Sequence, residues 1–167
     1  MAHRNSESRP ELEWVVMDGR KMDLPNNSFD LILDKSTMDA LLCGKNSFLN
    51  VARMLRQCQR IMKEGSVYIA VSYGEPKHRL LHFYRSHLKF EVNHVRLERV
   101  NQQGGKSVHW VYVCRKMKGA DEMEKLWREE VKQIRQEEAQ RGGILNDDDS
   151  LASDSEQALN LNEDDPN

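Results

Sequence analysis

The sequence has few cysteines, little net charge and no long apolar run, and each shortage excludes a class of protein. Its three cysteines are odd in number and form no CxxC or CxxH pattern, which argues against a disulfide framework and for a reducing compartment. A net charge of -2 gives no drive toward nucleic acid or an anionic membrane surface. No stretch approaches the roughly 20 apolar residues of a membrane span, and the N-terminus has no apolar signal core. We therefore expect a cytoplasmic protein without nucleic-acid or membrane partners.

Glycine is present but never in the spacing that binds a nucleotide-type cofactor. None of the nine glycines forms a G-x-G pattern. In dinucleotide-type folds, that pattern lets the backbone approach the ligand at the turn between the first strand and its helix. This sequence therefore lacks a glycine-rich cofactor turn.

The polar composition, with a mean hydropathy of -0.77, conceals a division into three parts. Residues 1–118 have the pattern of a folded domain. Residues 119–143 carry alternating charges, with acidic residues placed four positions before basic ones, as in a charged amphipathic helix. Residues 144–167 are acidic and contain no aromatic residue, which predicts a disordered tail.

The domain pattern predicts an α/β fold. Short apolar runs at residues 14–17, 29–33 and 67–71 are typical of strands, and the last two are nearly continuous, as in a parallel sheet. Residues 47–62 have apolar side chains three and four apart, which predicts a helix that ends before Gly65. A short helix is expected from Gly74 to about His87. Residues 90–100 and 108–114 predict a closing antiparallel hairpin.

Two features near the end of the domain have a structural and a functional interpretation. In the helix predicted over residues 121–141, the apolar stripe Met123, Trp127, Val131 and Ile134 suits packing against the domain, docking of a partner, or a solvated single helix.

His78, His82 and His87 mimic metal-ligand spacing, but no further ligands complete a site. We therefore expect no metal there and assign these histidines to a solvated helix face.

The most informative stretch is residues 14–42, WVVMDGRKMDLPNNSFDLILDKSTMDALL. Its strand ending in Met17 and Asp18, its Leu24-Pro25 loop and above all its Asp34-to-Ala40 segment, DKSTMDA, resemble the class I S-adenosylmethionine (SAM)-dependent methyltransferases of the protein-lysine type. That family includes the enzymes that methylate elongation factor 1-alpha and citrate synthase. Ser36 departs from the family pattern, which has glycine at this position. The resemblance implies a partial Rossmann-like sheet, strands three to seven of the family, followed by a C-terminal helix and the acidic tail.

The resemblance also implies site residues. Asp18 would accept a hydrogen bond from the adenine amino group of SAM, Gly19 would let the backbone approach the ring, and Lys35 would contact the cofactor. Independently, ligands of open α/β sheets bind outside the carboxyl ends of the strands, where Asp18 and Asp34 are predicted to lie. Asp34 or Asp39 is a candidate catalytic residue that accepts a proton or orients the incoming ammonium, although Asp39 fits equally well as an N-terminal helix charge.

The first two strands of the family and their glycine turn have no counterpart, so the sequence is interpreted as the C-terminal part of the domain. Most cofactor contacts would then be absent, and weak or absent SAM binding by this chain alone is expected. Loss of the neighbouring strand would also leave an apolar sheet edge exposed. Two functions stay open: a protein-lysine methyltransferase with an elongation-factor-like protein substrate, or a non-catalytic interaction or regulatory protein derived from one.

Overall fold

In the computed structural model, the described residues form four strands and four helices in a mixed α/β fold. The structure describes residue 9 and residues 11–100, 104–119 and 123–141. The strands are β1 (Phe29–Lys35), β2 (Met62–Ser72), β3 (Phe90–Val100) and β4 (Lys106–Lys116). The helices are α1 (Thr37–Leu42), α2 (Ser47–Ile61), α3 (Pro76–Phe83) and α4 (Met123–Gln140). The predicted acidic tail, residues 144–167, lies outside the described residues.

The strands form one sheet in the order β1-β2-β4-β3. β1 and β2 are parallel, whereas β4 runs antiparallel to both β2 and β3. The predicted parallel pair closed by an antiparallel hairpin is therefore confirmed. Within the described part of the chain, β1 is an edge strand, as the sequence predicted.

One face of the sheet is buried. Tyr68, Ala70, Tyr112 and Cys114 pack there against helix residues such as Leu55 in the main apolar core. These strand residues alternate with residues on the opposite face, which is apolar but open: Leu31, Leu33, Val95 and Leu97 are all more than half exposed. Parallel strands are normally covered on both faces. In the described chain, helices cover one face of the sheet and leave the other exposed.

The strand predicted at residues 14–17 is absent, and that prediction was wrong. Trp14, Val15 and Met17 are exposed, and Val16 is 102% exposed. A strand persists only where its N–H and C=O groups find a neighbouring strand. The described residues provide none at this edge, so the β-favouring composition of the segment has nothing to pair with.

The end of α2 also differs from the prediction. The helix ends at Ile61, and Met62 is already extended (φ -75°, ψ 139°). Gly65 (φ +75°) lies inside β2. It occupies a stretch where the pairing with β1 shifts register, from Phe29–Met62 to Leu31–Val67. Its positive φ therefore serves an irregular strand entry, and it does not cap the helix.

Helix α4 packs back on the domain through the predicted stripe. Trp127, Val131 and Ile134 are buried against Leu49 and Ala52 of α2. The carboxylate of Glu138 accepts hydrogen bonds from the backbone N–H groups of Phe48 (2.7 Å) and Leu49 (3.5 Å) and so caps the start of α2. The partner-docking and solvated-helix alternatives are overturned for this stripe, because the domain itself covers it.

The prediction that the histidines of the α3 region lie on a solvated helix face was wrong for His82 and His87. His82 is 2% exposed and His87 0%. The His82 ring lies 4.7 Å from that of Phe48, and the His87 ring lies 4.9 Å from that of Trp127. Only His78 is exposed. The buried pair belongs to the packing between α3, α2 and α4.

Candidate functional site

The carboxyl ends of β1 and β2 lie side by side, since the two strands are parallel and pair from Leu31–Val67 to Lys35–Val71. The chain leaves β1 through Ser36, whose N–H donates to the carbonyl of Val71 (3.1 Å), and enters α1 at once. This edge is where open α/β sheets bind ligands. Both candidate catalytic residues, Asp34 and Asp39, lie at it.

Asp34 is 6% exposed, and both of its carboxylate oxygens accept hydrogen bonds from within the domain. Oδ1 accepts from the N–H of Thr37 (2.8 Å), and Oδ2 accepts from the N–H of Met38 (3.2 Å) and the hydroxyl of Tyr68 (2.7 Å). The carboxylate thus satisfies the first N–H groups of α1, whose N-cap Ser36 makes no side-chain cap bond. These contacts favour a positioning role for Asp34, and its catalytic role stays a prediction.

Asp39 is the centre of a polar cluster that joins three segments. Oδ1 accepts from the hydroxyl of Ser72 (2.5 Å) and from Nε and Nη2 of Arg79 (3.1 and 3.0 Å), and Oδ2 accepts from the N–H of Tyr73 (3.0 Å). Partial burial disfavours the charged form, but the bonds from Ser72, Tyr73 and Arg79 outweigh it and hold the pKa of Asp39 below its ordinary value. Asp39 is therefore ionised near neutral pH and suits orientation of a cation better than proton abstraction.

The Ser72-Tyr73-Gly74 turn is fitted closely to this cluster. A Cβ on Gly74 would lie 2.1 Å from Cζ of Arg79, so only glycine lets the guanidinium lie over the turn and reach Asp39. The hydroxyl of Tyr112 donates to the carbonyl of Gly74 (2.6 Å). Burial, the largest cause, raises the pKa of Tyr112 to about 12, so this donor stays protonated.

Sequence reasoning missed Ser72, Tyr73 and Arg79. The usable signal was a polar Ser-Tyr-Gly turn directly after a buried parallel strand, because that position faces the ligand edge of such sheets. Arg79 carried no such signal, since its role depends on where α3 places it.

The three predicted cofactor residues lie in two groups. Asp18 and Gly19 form an exposed turn held against α2: Arg20 donates to the Asp18 carboxylate (2.7 Å) and to Oδ1 of Asn50 (3.1 Å). The bonds from Arg20 lower the pKa of Asp18, so its carboxylate is a charged acceptor. Lys35 is exposed at the end of β1. No described contact joins Lys35 to Asp18.

The surroundings of Gly19 fit the adenine end of a cofactor. A Cβ on Gly19 would lie 3.6 Å from Met54 and 3.8 Å from Met22. The partly buried thioether of Met22, with buried Met54 behind it, therefore adjoins an exposed carboxylate whose oxygens accept hydrogen bonds from Arg20. An aromatic ring with an exocyclic amino group matches this combination of apolar wall and acceptor.

A cavity of about 470 Å³ lies elsewhere, between α3 and α4. Arg85 lines it, 5% exposed, and donates to Glu130 and Glu137 (2.8 Å each). The guanidinium of Arg85 therefore forms ion pairs that hold α4 against the domain. We interpret the cavity as a gap in the packing around these ion pairs, and it is a poorer candidate site than the strand edge. Among the described residues there is no cluster of three or more potential metal ligands, and no described helix is long and apolar enough to span a membrane.

The fold and its ligand edge define a Rossmann-like α/β domain. One similar solved structure, described as the conversion of a disulfide bond into a thioacetal group during echinomycin biosynthesis, has a TM-score of 0.51 at 12% identity and covers 76% of this chain and 65% of that chain. At this identity the likeness concerns the fold alone. Residues 1–70 match a family model described as a methyltransferase domain.

Two sequence relatives have functional names. EEF1A lysine methyltransferase 4 of Mus musculus is 31% identical over 93 residues, which are 51% of this chain and 36% of the relative. The eEF1A lysine and N-terminal methyltransferase of Bos taurus is 32% identical over 100 residues, which are 57% of this chain and 14% of the relative. The chain therefore spans about a third or less of the length of these relatives.

Proposed function

We propose that this chain is part of a SAM-dependent protein-lysine methyltransferase that acts in the cytoplasm on a translation elongation factor of the eEF1A class. The observation that carries the proposal is the methyltransferase match over residues 1–70, which ends in the strand that forms the Asp39–Ser72–Arg79 edge. The names of the relatives support the choice of lysine and of eEF1A.

Methyl transfer from a sulfonium, supplied by SAM when bound, to an amine needs a neutral nucleophile in line with the methyl group and a site that removes the amine from water. In this proposal Asp18 accepts from the adenine amino group in place of part of its contact with Arg20, while Met22 packs on the ring. Asp39 stays charged and orients the incoming ammonium at the neighbouring strand end. Asp34 holds α1, and therefore Asp39, in place.

The first experiment is isothermal titration of residues 1–167 with SAM, after circular dichroism has established that the chain is folded. Saturable binding that Asp18→Ala abolishes supports the proposal. The matched control is Asp30→Ala, because Asp30 lies at the opposite end of β1 and only pairs with Lys63 on the surface (2.9 Å). Mass spectrometry of purified eEF1A incubated with the chain and SAM then tests the acceptor.

The second candidate is a non-catalytic interaction protein derived from a methyltransferase domain. Three observations favour it: the sequence contains no G-x-G turn, Arg20 already engages the Asp18 carboxylate, and one apolar sheet face is open. A folded chain that shows no heat of SAM binding would support this candidate and contradict the enzymatic proposal for the chain alone.

A further inference from the structure

An aromatic pair, one ring of which is exposed, lies at the ligand edge of the sheet. Tyr73 follows β2 directly and is 63% exposed. Its ring centroid lies 4.3 Å from that of His109 on β4, with the ring planes inclined by 42°. Neither ring belongs to the apolar cores described above; Tyr73 is the exposed member of the pair, and His109 is partly buried.

The backbone under Tyr73 is fixed although the ring is exposed. Its N–H donates to Oδ2 of Asp39 (3.0 Å), and the next N–H, that of Gly74, donates to the hydroxyl of Ser72 (2.9 Å). The Gly74 carbonyl accepts from Tyr112 (2.6 Å). A ring on a fixed backbone loses little further entropy when it binds a ligand, which is the condition for a preorganised contact.

The electrostatics of this surface suit a cation. Aromatic faces attract ammonium groups within about 6 Å, and methylated ammonium groups are recognised by aromatic side chains in this way. The ionised Asp39 accepts a hydrogen bond from the Tyr73 N–H (3.0 Å) and adds negative potential, partly offset by its ion pair with Arg79. An anion would meet both the aromatic faces and this carboxylate, so anionic ligands are disfavoured.

We propose that Tyr73 and His109 form the binding surface for the cationic side chain of the methyl acceptor, a lysine ammonium or its methylated products. The inference rests on the proposed function for the identity of the acceptor. Its physical content, an aromatic surface selective for ammonium ions, is testable without SAM. The class of ligand is a lysine-type or quaternary ammonium group.

The test is an aromatic-resonance NMR titration of the full chain with tetramethylammonium at about pH 8. The neutral comparison ligand is neopentyl alcohol, which has a similar shape but no charge. We expect the Tyr73 and His109 ring signals to shift saturably with tetramethylammonium. The apparent affinity should exceed that for neopentyl alcohol by at least about twofold, the factor that an exposed cation–π contact provides.

Variants distinguish cation binding at the Tyr73–His109 surface from nonspecific binding elsewhere on the protein. Tyr73→Ala should abolish the saturable shift at His109, and Tyr73→Phe should retain it. Tyr84→Ala is the matched control, because Tyr84 is equally exposed (61%) but lines the α3–α4 cavity. Equal response to the charged and neutral ligands, or an unchanged response in a folded Tyr73→Ala chain, overturns the inference. Cation binding without SAM binding would support the aromatic surface and contradict enzymatic function only for the chain alone.

Discussion

Replacement of Trp127 by alanine tests whether α4 is part of the folded domain. Trp127 is 1% exposed and packs with Leu49 and Ala52. Its ring contacts the edge of His87 at 4.9 Å, and the Arg56 guanidinium lies 4.8 Å from the ring centroid. It is the largest fully buried side chain of the described residues.

Two effects of opposite sign determine the expected free-energy change. Truncation of a buried Trp to Ala costs about 3–5 kcal/mol through lost burial and the cavity that remains. The indole N–H of Trp127 finds no hydrogen-bond partner among the described residues, and removing an unsatisfied buried donor returns about 1–3 kcal/mol. The net expected loss for Trp127→Ala therefore lies within about 0–4 kcal/mol and is centred near 2 kcal/mol. Trp127→Phe keeps most of the packing, removes the unsatisfied donor and should cost less than about 1 kcal/mol.

Urea unfolding followed by far-ultraviolet circular dichroism measures both variants. The control is Lys132→Ala, because Lys132 is exposed on the opposite side of the same helix and its loss should change the stability by less than about 0.5 kcal/mol. A Trp127→Ala chain as stable as Lys132→Ala would refute the packing of α4 on α2. Equal losses for Trp127→Ala and Trp127→Phe would refute the assigned cost of the lost packing, because both variants remove the buried donor.

Three further predictions concern stability. Asp34→Asn places an amide donor opposite the N–H and O–H groups that Asp34 now accepts and should cost about 2–3 kcal/mol in urea unfolding, whereas Asp30→Asn, in an exposed ion pair, should cost less than about 1 kcal/mol. Ser36→Gly should raise the unfolding free energy by about 0.5–1 kcal/mol, because Ser36 has φ +64° and glycine adopts that backbone without strain; a loss of stability would contradict this. Burial, the largest cause, lowers the pKa of His82 to about 3 and also lowers that of His87. The unfolded chain therefore binds more protons below its ordinary histidine pKa of about 6.5, so stability is full above that pH and falls as the pH drops below it, by up to about 1.4 kcal/mol per pH unit for each histidine. Urea midpoints measured from about pH 8 to pH 5 test this slope, which a His82→Phe chain should show in reduced form.

The outcomes along the chain show how far local pattern extends. The helix over residues 47–62 and the strands at 29–33, 67–71, 90–100 and 108–114 were predicted because their periodicity reflects which face is buried. The strand at 14–17 failed by the same logic: its composition was right, but strand formation depends on a neighbour that composition does not reveal. The prediction that Gly65 ends the helix failed because a glycine after a helix suits either a helix cap or an irregular strand entry.

The candidate site divides in a similar way. The DKSTMDA segment indicated the ligand edge and directed attention to Asp34 and Asp39. It could not reveal that Asp34 points inward to cap α1 and bind Tyr68, or that Asp39 reaches Ser72 and Arg79. The contacts with Tyr68, Ser72 and Arg79 join residues more than 30 positions apart in the sequence, so no local pattern encodes them.

The sequence by itself determined the fold class, the order of most elements and the family resemblance, because periodicity and short motifs are local properties of the chain. Only the tertiary structure decided that α4 covers α2, that His82 and His87 are buried and that one sheet face stays open. It also brought Tyr73 and His109 together beside Asp39. Each of these depends on which surfaces meet once the strands pair, and that is set by the packing of distant segments.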